Sequence, residues 1–247
     1  MKTPLVLSIG MPRAGSGWHY NLIHNLIVAS GGQDSRQIRR RYLLQSILTE
    51  VNCNIGAFAP HRLLPVMIPA LLGNTFVVKA HAGPTPLALR FIRSGKLLPA
   101  YIYRDPRDAL LSAYEYGQRK REKGRAGAFS ELITIEQAIE FMREYVCISE
   151  DWLACEQALH VRYEDLLTEY DVEVQRLVDF LGFDGDSPAI QSVLDDYRPD
   201  RGRSVQKGTH FVKGKIGRYR HVFTSEQRVS CIEAFGPYLE RMGYPRE

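Results

Sequence analysis

The residues best suited to chemistry sit directly after short apolar runs. Leu5–Gly10 is followed by Met11-Pro12-Arg13-Ala14-Gly15-Ser16-Gly17, and then by the apolar-periodic stretch Trp18–Ala29. A Gly-rich turn between a strand and a helix aims backbone N–H groups and the positive end of the helix at an anion. His81 follows Thr75–Ala80, two residues after Lys79. Arg104-Asp105 follow Leu98–Tyr103, and Glu164-Asp165 follow Leu159–Tyr163. An imidazole with an ordinary pKa near ~6.5 suits a general base at neutral pH. Arginine and lysine suit the stabilisation of negative charge that grows during group transfer.

Each of these signals has a plain structural alternative. The Gly-rich turn fits a ligand-free connection, His81 a satisfied strand-end residue, Lys79 a snorkelling lysine and Arg13 a surface cation. Asp105 and Asp108 beside Arg104 fit a salt-bridged helix start. The loop also departs from the nucleoside-triphosphate pattern GxxxxGK[ST]. Ser16 stands where the Lys belongs and Gly17 where the Mg²⁺-binding hydroxyl belongs. A loop of this kind is expected to hold a phosphate without that metal. His19 and His24 lie ~140° apart around a helix, so they form no metal pair, and Cys53, Cys147, Cys155 and Cys231 contain no CxxC.

The elements that must position these residues follow from the pattern between them. The four apolar runs are of strand length. Helical patterns cover Trp18–Ala29, Arg36–Thr49, Pro106–Tyr116, Ile135–Ala158, Val172–Leu181 and Ser225–Leu239. Alternation of strand and helix predicts an α/β fold with a central parallel sheet flanked by helices. In such sheets ligands bind beyond the carboxyl ends of the strands, where all four polar clusters fall.

The 247 residues suit one domain over 1–247. Hydrophobic residues make up 45% and charged residues 24%, which excludes disordered and collagen-like chains. No apolar run reaches the ~20 residues of a spanning helix, and the N-terminal run lacks a cleavage site, so a cytoplasmic protein with no transmembrane segment is expected. The net charge of +4 fits an anionic ligand but is too small to indicate nucleic acid.

Five motifs in order resemble the sulfotransferases that use 3′-phosphoadenosine 5′-phosphosulfate (PAPS). Pro12-Arg13-Ala14-Gly15-Ser16-Gly17-Trp18 resembles the family's P-K-S-G-T-T-W loop, and Lys79-Ala80-His81 its K-T-H. Arg104, with Ser112 eight residues later, resembles the 3′-phosphate motif, and Tyr163-Glu164-Asp165 the adenine-side Y-E-D. Val212-Lys213-Gly214-Lys215-Ile216-Gly217-Arg218-Tyr219-Arg220-His221-Val222-Phe223-Thr224 resembles R-K-G-x-x-G-D-W-K-x-x-F-T. The departures are Arg13 for the loop Lys, as in the tyrosylprotein branch, Gly17 for a Thr, Val212 for an Arg, and Ser225 for a Val of the family's dimer motif.

The resemblance implies a P-loop-NTPase-like sulfotransferase fold and a PAPS-dependent sulfotransferase releasing 3′-phosphoadenosine 5′-phosphate (PAP), with no metal required. It implies His81 as general base, and Arg13 and Lys79 on the leaving phosphate. Arg13, Ala14, Gly15, Ser16, Gly17 and Trp18 would cradle the 5′ side. Arg104, Ser112, Lys213 and Gly214 would hold the 3′-phosphate, and Trp18 and Tyr163 would contact adenine. The acceptor would be a small molecule, carbohydrate or lipid, taking sulfate on a hydroxyl or an amine, and the oligomeric state is left open. The Arg-, Lys- and Gly-rich stretch Pro199–Tyr219 is expected to cover the nucleotide. The basic stretches Arg36–Arg41 and Arg119–Arg125 fit solvated faces, with Gln118–Ser130 an alternative acceptor lid. Phe58–Leu72 fits either an acceptor pocket or core. Competing readings are a P-loop nucleotide kinase or NTPase, and a non-catalytic nucleotide-binding module.

Overall fold

Strand β1 (Leu5–Gly10) is buried on both faces along its whole length. That explains its continuous apolar run, because a strand at the centre of a helix-covered parallel sheet has no solvent side. Its one polar side chain, Ser8, meets His19 Nδ1 at 2.9 Å. The computed structural model describes residues 5–199 and 215–246.

Four parallel strands form the sheet: β1, β2 (Val77–Ala80), β3 (Leu97–Tyr103) and β4 (Leu159–Arg162), in the order β2-β1-β3-β4. The register pairs Ser8 with both Lys79 and Ala100. From β1 the chain crosses to β2 on one side, then returns past β1 to β3 on the other. The order therefore reverses between β1 and β3, and a crevice opens at their carboxyl ends.

Helices α1 (Ser16–Ala29), α2 (Ser35–Arg41) and α3 (Pro60–Leu71) lie between β1 and β2, and α4 (Pro86–Arg93) between β2 and β3. Between β3 and β4 run α5 (Pro106–Glu122) and α6 (Ile135–Leu153). Then come α7 (Tyr163–Thr168), α8 (Tyr170–Leu181), α9 (Pro188–Asp196), α10 (Tyr219–Val222) and α11 (Ser225–Arg241). The caps explain several boundaries. Asp105 accepts the Arg107 N–H ahead of Pro106 at the start of α5. Thr134/Gln137 and Thr224/Gln227 are reciprocal capping boxes for α6 and α11.

One expectation is corrected. The helix expected over Arg36–Thr49 stops at Arg41. Leu43 takes a left-handed φ of 55°, its N–H bonds Arg40 O and the Leu44 N–H bonds Arg39 O, which closes the helix in a Schellman turn. Within the polar stretch 118–130, α5 continues to Glu122. Of the two readings of Phe58–Leu72 the structure agrees with core: helix α3 within it packs inward through Leu63, Val66 and Met67, and none of these residues lines the cavity described below. Its three prolines, one at N1 and two inside, hid the helical period. Among the described residues no helix is long and apolar enough to cross a membrane.

The core has two parts. One surrounds the sheet and α1. The other joins α5, α6 and α11 around Tyr238, Phe235 and Met142. Trp152 of α6 is fully buried in the first. Its ring stacks on Tyr101 of β3 with centroids 6.3 Å apart, and its Nε1–H donates to the Ala82 carbonyl at 3.0 Å. It thus ties α6 to the segment that follows His81. Trp152→Ala is expected to cost about 3–5 kcal/mol, read as a lower urea midpoint at unchanged m-value. Trp152→Phe keeps a ring and should cost less. Equal midpoints for wild type and Trp152→Ala would mean that this contact carries no stability.

Candidate active site

The turn after β1 is shaped by one close approach. Gly15 has φ +83°, and a Cβ there would lie 2.6 Å from the Tyr163 ring, so only glycine lets the turn pass under that ring. Gly15 is also the N-cap of α1, and no side chain caps the helix. The first turn, beginning at Ser16, therefore leaves N–H groups for a ligand. Arg13 takes φ +67°, an uncommon conformation for a residue with a side chain.

A cavity of about 530 Å³ opens above β1 and β3. Arg13, Gly15, Ser16, Gly17 and Trp18 line it from the turn. Lys79 and His81 enter from the end of β2, Arg104 and Ser112 from β3 and α5, and Tyr163 from the end of β4. Ala14 is not brought to the cavity. Its side chain is fully buried in the second core, and its N–H bonds Met11 O at 3.1 Å, so it offers a ligand nothing. Lys213 and Gly214 lie outside the described residues, as does 200–214 of the expected covering stretch. Trp18 lines the cavity, but it is largely core, with its Nε1–H donated to Tyr197 O and its ring stacked on Tyr170.

Among the described residues six cationic side chains line the cavity, from Arg13, Lys79, Arg104, Arg119, Lys215 and Arg218, against one carboxylate, Glu115. Burial, with Arg13 adding to it, lowers the Lys79 pKa to about 8. Burial also lowers the Arg13 guanidinium below its ordinary value. Arg13 Nε donates to Ser112 Oγ at 3.2 Å, and its guanidinium lies 4.9 Å from the Tyr116 ring centroid.

The His81 Nδ1 lies 2.6 Å from the Gly10 carbonyl oxygen. A carbonyl only accepts, so Nδ1 carries the proton, and the neutral ring keeps its lone pair on Nε2. Burial, then the Lys79 charge, lower the His81 pKa to about 4 despite the Gly10 bond. His81 is therefore neutral at pH 7, which is the form a base needs.

Arg104 is buried, with its guanidinium 4.3 Å from the Tyr163 ring centroid. Nη2 reaches Asp108 at 3.3 Å and Lys215 O at 3.1 Å, and Nη1 reaches Arg13 O at 3.3 Å. Nε is buried and has no partner among the described residues. Such an orphaned charged donor is costly unless a ligand takes it. Asp108 also accepts the N–H groups of Gly217 at 2.7 Å and Tyr219 at 3.2 Å. The salt-bridged helix start is present as well, since Arg107 donates through Nε and Nη2 to the two Asp105 oxygens at 3.0 and 2.8 Å.

Several lining residues escaped sequence reasoning. Glu115, Tyr116 and Arg119 lie three, four and seven places after Ser112 on α5. That spacing puts them on one helix face and was the available signal. Glu115 pairs with Arg218 and, at 3.8 Å, with Arg119. Asn54 reaches the cavity through an isolated parallel bridge to Lys79. Phe129, Phe141 and Tyr145 form an aromatic wall whose members come from two separate segments. No group of three His, Cys, Asp or Glu suited to a metal occurs among the described residues.

Comparison with solved structures finds the same fold repeatedly. A mouse sulfotransferase complexed with PAP aligns over 97% of this chain and 84% of its own, at TM-score 0.63 and 13% identity. Retinol dehydratase in complex with androsterone and PAP aligns over 97% and 81%, at TM-score 0.61 and 16% identity. The same enzyme with retinol and PAP gives TM-score 0.58 and 18% identity over 97% and 82%. At such identities the likeness is one of fold. Comparison with curated protein sequences gave no match. The sulfotransferase domain profile matches residues 4–243, nearly the whole chain, and the chain therefore belongs to the sulfotransferase family.

Proposed function

We propose that the chain transfers a sulfuryl group from PAPS to an acceptor oxygen or nitrogen, with His81 as general base. The observation that carries this reading is the cavity itself. It holds six cations against one carboxylate, an orphaned Arg104 Nε and a glycine-only turn at an uncapped helix start. Those features suit a ligand with an anion at each end, and PAPS has a 5′-phosphosulfate and a 3′-phosphate. The solved relatives of this fold that hold PAP support the same donor.

The roles follow from position. Gly15, Ser16 and Gly17 present backbone N–H groups to the 5′ side. Arg13 and Lys79 stabilise charge on the phosphate oxygen as it leaves. Arg104 and Ser112 hold the 3′-phosphate, and the guanidinium fork suits it. Tyr163 covers the nucleotide beside Arg104, with Trp18 behind it. PAPS supplies the sulfuryl group, and His81 Nε2 takes the proton of the attacking acceptor. A kinase or NTPase would need the Lys and hydroxyl that Ser16 and Gly17 replace.

His81→Ala should leave PAP affinity nearly unchanged and lower kcat by about 10²–10⁴. Unaltered turnover at saturating acceptor would place the base elsewhere. The pH profile has a defined sign. Lys79 is charged below its pKa of about 8, so kcat/KM for PAPS should fall as pH rises through about 8. His81 is neutral above about 4, so the acid limb should lie near pH 4. Lys79→Arg should move the alkaline limb upward, and a limb that stays near pH 8 in this variant would assign it to another group.

The donor assignment is tested by titration calorimetry. A hydrogen bond to a charged group contributes about 1.5–3 kcal/mol. Arg104→Ala should thus weaken PAP by at least about tenfold, at ~1.4 kcal/mol per decade. It should barely change adenosine 5′-phosphosulfate, which lacks the 3′-phosphate. Equal losses for both nucleotides would place the 3′-phosphate away from Arg104.

A further inference from the structure

Helix α3 is apolar on its outer face as well as its inner one. Inward, Leu63, Val66 and Met67 pack on the core, as in any amphipathic helix. Outward, at the spacing of one helix face, stand Leu64, Ile68 and Leu71, followed by the C-cap Leu72, each 47–68% exposed. The polar side chains of α3, His61 and Arg62, are confined to its first turn. Leu43, 80% exposed at the tip of the Schellman turn, extends this patch. The neighbouring Tyr42 hydroxyl accepts from Asn74 Nδ2 at 3.1 Å, and Asn74 N donates to Pro69 O, so the turn lies beside the end of α3. The charge here is one-sided. From the start of α2 to the end of α3 there are five arginines, Arg36, Arg39, Arg40, Arg41 and Arg62, and one acid, Glu50. That excess equals the net charge of +4 of the whole chain. Arg36, Arg39 and Arg62 donate to the carbonyls of Val51, Leu48 and Ile55 at 3.0, 2.7 and 3.0 Å, and Arg40 and Arg41 are exposed in the last turn of α2. None of the five is paired with a carboxylate among the described residues. Asp34, just before α2, is taken up by capping that helix and by His24 Nε2 at 3.6 Å.

We infer that this face docks the protein on an anionic membrane surface. The outer side chains of α3 and Leu43 enter the boundary between headgroups and acyl chains, and the arginines of α2 meet the anionic headgroups. A contiguous exposed apolar patch marks an interaction site, and cations beside it select a partner that is apolar and negative at once. A bilayer containing anionic lipid offers both, with acyl chains below a layer of phosphates and carboxylates. The guanidinium fork suits those oxygens, and arginine stems lie along apolar surface while their heads stay in water. The shape fits as well. A helix flank and a turn tip are convex, and they enter a fluid surface without a matching groove. A second copy of the chain fits less well, because a two-fold interface sets the same patch against itself and would gather the uncompensated arginines of both copies. None of these residues lines the cavity, so the inference stands apart from the sulfuryl-transfer reading.

The test is flotation of the full chain with vesicles of phosphatidylcholine containing about 30% phosphatidylserine, beside vesicles of phosphatidylcholine alone. Each is run at about 0.1 M and about 1 M salt, where the screening length falls from ~10 to ~3 Å. Wild type should bind the anionic vesicles at least about tenfold more tightly than the neutral ones, and lose most of that preference at high salt. Each arginine near such a surface contributes about fivefold, so Arg40→Gln/Arg41→Gln should weaken binding about 25-fold. Ile68→Gln/Leu71→Gln/Leu72→Gln should weaken it about tenfold or more at either salt. Leu43→Asn suits the left-handed φ of 55°, so folding is not at risk, and it should weaken binding a few-fold. Should the triple variant melt early, Arg40→Gln/Arg41→Gln and Leu43→Asn decide alone. Wild type that does not float with the anionic vesicles overturns the proposal. Light scattering on that unbound protein then separates the other occupants: a dimer that the glutamine variants split gives the face to a second copy, and a monomer gives it to a protein partner. Vesicle binding that survives the arginine and leucine substitutions also overturns it, since the contact would then lie elsewhere, the cationic cavity included.

Discussion

A carboxylate taken out of water is costly unless charge and hydrogen bonds replace its hydration. Asp108, with 1% of its surface exposed, meets that requirement through three donors, Arg104 Nη2, Gly217 N and Tyr219 N, at the first turn of α5 whose dipole favours it. The consequence spreads outward. Arg104 is fixed at the exit of β3, and its remaining donors turn to Arg13 O, Lys215 O and the open Nε position. The chain that returns after residue 214 is pinned over α5, which brings Lys215 and Arg218 to the cavity. One buried acid thereby joins a strand end, a helix start and a distant segment into one side of the cavity.

The rest of the cavity is organised by an imbalance of charge. Its cations are partly stripped of water, and burial with the neighbouring Arg13 charge lowers the Lys79 pKa to about 8. Among the described residues Asp108 compensates Arg104, and Glu115, the carboxylate that lines the cavity, pairs with Arg119 and Arg218. Arg13 and Lys79 are left with a polar hydroxyl, an aromatic face and each other. A polyanion is the ligand that relieves this arrangement. Burial, then the Lys79 charge, keep the His81 ring neutral as well.

Much of this was legible in the sequence because the signals were local. The run Leu5–Gly10 and the turn to Trp18 correspond to β1 and the start of α1 almost residue for residue, since a central strand and a Gly-rich turn both have strict local requirements. Lys79, His81 and Arg104 were readable from their places at strand ends. What the sequence concealed was tertiary. Ala14 sits inside a ligand-binding turn by motif, yet it faces the core, because φ +67° at Arg13 and φ +83° at Gly15 turn the chain between them. The Leu43 Schellman turn breaks a helical period that would otherwise run on. Phe129 reached the cavity through a backbone conformation that its residue type argues against. Asp108 read as a local salt bridge, and its partners at 217 and 219 lie more than a hundred residues away.

The central claim is that this charge arrangement serves sulfuryl transfer without a metal-dependent phosphoryl step. Single-turnover transfer in EDTA tests it most directly, with enzyme in excess over sulfur-labelled PAPS and a panel of hydroxyl and amine acceptors present. The account predicts that label appears on the acceptor in step with release of PAP, at a rate that EDTA does not change. No transfer of label in EDTA, together with Mg²⁺-dependent transfer of the γ-phosphate from ATP, would contradict it.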